Sequence, residues 1–254
     1  MRRSITVGVC FALMSVAWPL AAQDHAGNIA RVAFWTIEAG MIEEFEEGLK
    51  KHNAFHGSAN DPGALNTWTV INGPDAGKYI RVSSNNDWAD FDRERVPSEA
   101  DARDSAANLD PYIESDVPQH YLFLRDISKP PAFEGIAPMS SVIFFRLHQD
   151  GEQVFRETIT KVHEAIIKTE WPSKGFFWFE LWSGGDHPTF VLVLPMENWA
   201  DMAPLEPSFP AMIIEAYGPE EGRALLETFG QTIKKQWSQV HEYRPDLSYV
   251  PAGD

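Results

Sequence analysis

Cysteine is almost missing from this chain. Its single thiol in 254 residues, Cys10, lies in the opening stretch MRRSITVGVCFALMSVAWPLAAQD. Two arginines, an uncharged apolar run from Ile5 to Leu20, and small residues at Ala21 and Ala22 predict a secretory signal peptide over residues 1–22. The expected mature protein is therefore exported, periplasmic or secreted, and has no thiol, which excludes disulfides, cysteine nucleophiles and cysteine-ligated zinc. Long hydrophobic runs are missing too. The Ile5–Leu20 run is shorter than the roughly 20 residues of a membrane span and no later run is longer, so no membrane partner is expected. Basic charge is scarce, with 21 Lys and Arg against 37 Asp and Glu. Losing Arg2 and Arg3 takes the formal charge from −16 to −18, which argues against nucleic acid as a partner. There is no glycine-rich phosphate loop, no G-x-S-x-G elbow and no dinucleotide fingerprint, so no nucleotide cofactor is expected.

What the chain does contain is itself, twice. RVAFWTIEAGMIEEFEEGLKKH from Arg31 runs in step with SVIFFRLHQDGEQVFRETITKV from Ser141 at a constant shift of 110. The shift pairs Phe34 with Phe144, Phe45 with Phe155 and Trp68 with Trp178. After one inserted residue, Trp88-Ala89-Asp90 pairs with Trp199-Ala200-Asp201. Each copy reads as a β-branched and aromatic strand, a helix with apolar residues at three and four spacing, and two strands joined by a Gly turn. A second helix and a last strand follow. In the later copy Gly218-Pro219 opens the second helix, with a stripe at Leu226, Phe229, Ile233 and Trp237. In the earlier copy the polar, alanine-rich SEADARDSAANLDPYI takes its place. The fold class predicted is α+β: two tandem ferredoxin-like (βαββαβ) repeats, 23–133 and 134–254, packed as an intrachain α+β barrel.

A duplicated unit of this order, with a third strand running into NDWADF or ENWADM, resembles the dimeric α+β barrel superfamily, and most closely its antibiotic-biosynthesis-monooxygenase-like members. That resemblance implies an enzyme acting on a small apolar or aromatic substrate by oxidation or proton transfer without a nucleotide cofactor. A non-catalytic exported binding protein for a small apolar ligand or heme is the alternative it leaves open, as monomer or homodimer. Chlorite dismutase-like enzymes also join two such units and carry a heme-ligating histidine on a helix of the second, where His163 is the corresponding position. The distal arginine of those enzymes has no counterpart in KGFFWFELWSGGDHPTFVLVL.

The candidate site residues come from comparing the copies. The first helix carries Ile42, Phe45, Leu49, His52 and His56 on one stripe, and the second copy has Val162 and Ile166 where the first has the two imidazoles. His52 and His56 are therefore the candidate catalytic pair. Gly57 is expected to end the helix and Gly48 to open space beside the rings. No HExxH pattern is present and no third ligand is evident, so no metal site is assigned. Glu180 alternates with Trp178 and Trp182 in FFWFELW, which predicts a desolvated carboxylate suited to proton transfer or else paired with Arg146. Trp35, Trp68, Phe55, His163 and Trp178 are expected to line an apolar pocket.

Overall fold

Runs such as Val32-Ala33-Phe34-Trp35 and Val142-Ile143-Phe144-Phe145 are apolar on both faces, as strands covered on both sides must be. In the computed structural model, which describes residues 27–251, they belong to β1 (Ile29–Ile37) and β5 (Met139–Leu147). The predicted signal peptide lies outside the described residues. Between and after them come β2 (Asn66–Asn72), β3 (Tyr79–Asn86) and β4 (Ile113–Phe123), then β6 (Phe177–Ser183), β7 (Thr189–Met196) and β8 (Ile233–Tyr243). All eight strands pair antiparallel and close a barrel in the order β1-β3-β2-β8-β5-β7-β6-β4. In the matching pairs of the two halves Val32 faces Val82, and Val142 faces Val193.

An apolar cluster that joins strands of both halves includes Val142, Phe144, Leu181 and Val191, with the rings of Phe144 and Trp237 stacked 4.9 Å apart against it. The outer faces are covered by α1 (Ile42–Ser58), α2 (Ser98–Asn108), α3 (Glu152–Lys168), α4 (Phe209–Tyr217) and α5 (Pro219–Thr232). Among the described residues no helix is long and apolar enough to cross a membrane.

Four local expectations are corrected. Gly218, at φ +83°, joins two helices where one was expected. Ile233 and Trp237 belong to β8, because steps of four residues also satisfy the two-residue period of a strand. Helix α1 runs past Gly57 to Ser58, and its turn is made by Asn60 at φ +53°. Ile42 begins that helix at its solvent end and is half exposed, outside the buried stripe.

Candidate functional site

The buried stripe of α1 starts as apolar core and ends as chemistry. Phe45 and Leu49 pack onto the sheet with Trp35 and Tyr79, while one and two turns later His52 and His56 are 8 % and 4 % exposed. A buried imidazole needs partners for both ring nitrogens. His52 Nδ1 lies 2.8 Å from Asp104 Oδ1 and His56 Nδ1 lies 2.9 Å from Asp61 Oδ2. Asp61 is placed by the turn after α1, where its N–H donates to the His56 carbonyl at 3.0 Å. Its other oxygen accepts the Gly63 N–H at 2.9 Å, and Arg95 stands 3.4 Å from Oδ2. Asp104 comes from α2, as does Asp101.

The other ring nitrogens converge. His52 Nε2 and His56 Nε2 are 3.2 Å apart, and Asp101 Oδ1 is 3.7 Å from each. That oxygen is buried and has no hydrogen-bond donor. The third group that the sequence did not supply is therefore Asp101. His56 titrates below the ordinary imidazole range, first because burial disfavours its charged form and then because His52 is beside it.

Gly48 does not open space beside the rings. A Cβ there would meet the Asn108 carbonyl oxygen at 1.8 Å, so its role is to let the end of α2 lie directly on α1. This close approach brings a helix with no buried residues of its own, and with it Asp101 and Asp104, over the histidines.

His56, Asp61 and Asp101 line an open cleft of about 500 Å³. Arg31 and His120 stand in its wall. His120 belongs to an aromatic group with Phe91 at 5.0 Å and Trp88 at 5.6 Å, and Trp182 lies 6.0 Å from Trp88. Burial, then the charge of Arg31, lowers the pKa of His120.

The remaining candidates lie elsewhere. Trp35 packs edge-on to Phe45, and Trp68 packs against Tyr243. Trp178 joins Phe145 and Phe155 in the larger core, so none of the three tryptophans lines the cleft. Phe55 does flank the pair, its ring 6.1 Å from His52 and 5.6 Å from His56. Glu180 is buried and pairs with Arg156 of α3, whose guanidinium also lies over Phe190. Arg146 instead donates to the Pro188 carbonyl. Burial raises the Glu180 pKa against the pull of Arg156. Trp182 does not share its face, because β6 bulges there: Leu181 pairs with Tyr121 and Ser183 with His120. His163 is half-buried beside Phe176. A porphyrin would need the space between α3 and the sheet, and Phe155, Ile159, Val162, Trp178 and Phe190 fill it. The residues present therefore do not fit a heme.

No family model matches the sequence, and no curated protein matches it significantly. Solved structures do match in fold. A protein named as a monooxygenase, from Lactobacillus acidophilus NCFM, aligns over 89 % of this chain and 97 % of its own, with a TM-score of 0.55 and 9 % identity. An anthrone oxidase-like protein aligns over 90 % and 94 %, with a TM-score of 0.55 and 10 % identity. A mutant chlorite dismutase from Candidatus Nitrospira defluvii aligns over 87 % and 93 %, at 0.52 and 11 %. The chain thus shares the fold of these proteins, as the resemblance to dimeric α+β barrels predicts. Its oxidase and monooxygenase neighbours share architecture with it, and architecture alone does not choose an activity.

Proposed function

We propose that the chain is an exported enzyme, built from two ferredoxin-like units, that acts on a small aromatic molecule bearing an acidic group. It does so by oxidation with dioxygen or by proton transfer, without a nucleotide cofactor. The observation that carries this reading is the make-up of the cleft beside the histidine pair. A buried imidazole and carboxylate cluster forms one wall, while Phe91 and His120 offer an aromatic surface and Arg31 a guanidinium without an ion-pair partner among the described residues. The volume suits a small ligand. A wholly apolar substrate is not favoured, because Arg31, Arg93, Arg95, Asp90 and Asp92 all border the space.

The oxidase and monooxygenase names among the structural neighbours support the oxidative branch as analogy. The test is a panel of phenols and aromatic carboxylic acids incubated under air with the purified chain, read by oxygen electrode and product mass spectrometry. Turnover is expected for an aromatic acid, with Arg31→Ala raising KM about tenfold and leaving kcat nearly unchanged, as loss of a uniform binding contact should. If neither binding nor conversion is seen across the panel, the reading is wrong.

A further inference from the structure

We propose that His52 Nε2, His56 Nε2 and Asp101 Oδ1 bind a divalent first-row transition-metal ion. The argument begins with hydrogen-bond bookkeeping. Each Nδ1 faces a carboxylate, which only accepts, so each neutral ring carries its proton on Nδ1. Both Nε2 lone pairs then point at one another across 3.2 Å, and Asp101 Oδ1 points at the same spot with no donor of its own. With both rings neutral, three acceptors converge on one point and no hydrogen lies between them. A cation satisfies all three.

The geometry agrees. A triangle with sides of 3.2, 3.7 and 3.7 Å has a centre about 2.1 Å from every corner, and zinc-type bonds to imidazole nitrogen and carboxylate oxygen are about 2.0–2.2 Å. Two imidazoles select a transition metal over magnesium or calcium, and two histidines with one carboxylate leave coordination positions free. His56 and Asp101 border the cleft, so those positions open towards it. Asp61 and Asp104 hold the rings through Nδ1, the outer support that metal-bound histidines usually have. Charge is balanced in the same sense: Asp61, Asp101 and Asp104 outnumber the nearby guanidiniums of Arg81 and Arg95.

The inference deepens the proposed function by naming what sits at the reacting end of the cleft. It is tested without any organic ligand, so the two can fail separately. The chelator-stripped chain is titrated with Co²⁺, read by visible absorption, and with Zn²⁺, read by calorimetry. One ion per chain is expected, together with a rise in Tm. Asp101→Asn, which keeps the shape of the side chain, is expected to weaken binding at least tenfold with the metal-free Tm nearly unchanged, and His56→Asn still more. Absence of binding by either ion overturns the proposal and leaves the pair sharing a proton. So does binding that Asp101→Asn and His56→Asn leave intact. Circular dichroism of each metal-free variant separates loss of a ligand from loss of the fold.

Discussion

Helices α1 and α3 have the same length, begin 110 residues apart, and end in the same turn. Asp61 N–H donates to the His56 carbonyl at 3.0 Å, and Trp171 N–H to that of Ile166 at 3.1 Å, with Asn60 and Glu170 at φ +53° and +50°. What they bury beside that turn is opposite. The α3 end packs Val162, Ile166 and Met212, with Trp171 against them, into a core that also holds Phe155 and Phe190. At the corresponding places the α1 end has His52, His56, Asp101 and Asp61. Four exchanges from apolar to polar fall at one spot while the backbone around them is kept. A scattered set of substitutions would be drift. A concentrated set, in which His52, His56 and Asp61 are hydrogen-bonded and Asp101 stands beside both rings, marks a candidate site, because a buried polar group is tolerable only with its partners present.

Grafting the pair into the apolar end is the strongest way to break that comparison. In Val162→His/Ile166→His the new rings meet Trp171 and Met212 instead of carboxylates. Each unsatisfied imidazole costs about 1–3 kcal/mol, with a further 1–2 for the apolar burial lost. A loss of at least about 4 kcal/mol in denaturant unfolding is expected. The reverse exchange, His52→Val/His56→Ile, gains apolar area but takes the imidazole partner from Asp104 and from Asp61, which is 1 % exposed and is left with Gly63 and Arg95. It is expected to lose about 2 kcal/mol. If the graft is as stable as the parent chain, the carboxylates are not what makes buried imidazoles acceptable in this fold.

A histidine with no carboxylate hydrogen-bonded to it, only the charge of Asp75 acting from a distance, offers a milder contrast. His241 pairs with Val70 of β2 on one side and Ser140 of β5 on the other, and its Nε2 meets only the Gln239 amide, at 2.9 Å. Burial lowers its pKa from 6.5 to about 4. Above pH 6.5 the ring is neutral in both folded and unfolded chains. As pH falls from 6.5 towards 4, the unfolded chain takes up a proton that the folded ring refuses, so stability declines through that window and levels off below it. The loss is on the order of 3 kcal/mol. Denaturant unfolding of His241→Gln, compared with the parent across pH 4–7, should show a flatter profile.

The sequence made most of the barrel legible because strand runs, Gly turns and the constant spacing are local signals that repeat. It misplaced the end of α5 because Phe229, Ile233 and Trp237 fit both a helix and a strand. His52 and His56 stood out once set against Val162 and Ile166. Asp61 could have been found the same way, since it takes the place of Trp171 in the ungapped stretch. Asp101 was harder: it sits in an alanine-rich helix with no buried residues, which the close contact at Gly48 and the His52–Asp104 bond bring onto α1. Glu180 is buried with a raised pKa, as its place between tryptophans predicts, but alternation along β6 reveals neither the bulge at Trp182 nor that its arginine is Arg156 of α3 and not Arg146.

That contact supplies the finest test of the difference between the two ends. Alanine at position 48 would normally stabilise a helix interior by about 1 kcal/mol. Here its Cβ would fall 1.8 Å from a backbone oxygen of α2, which cannot rotate aside as a side chain could. The helix has to move, and overpacking of this kind costs about 1–3 kcal/mol, so Gly48→Ala is expected to be destabilising by about 1 kcal/mol net. At the matching position Thr158 returns its hydroxyl to its own helix, to the Val154 carbonyl at 2.7 Å. Thr158→Ala is therefore expected to change stability by less than Gly48→Ala. The two variants also separate in a second measurement. Asp101 rides on α2, so displacing that helix should weaken Co²⁺ binding in Gly48→Ala, while Thr158→Ala leaves it untouched. Equal metal affinity in both would mean that α2 does not position the carboxylate, and the close approach at Gly48 would then be packing alone.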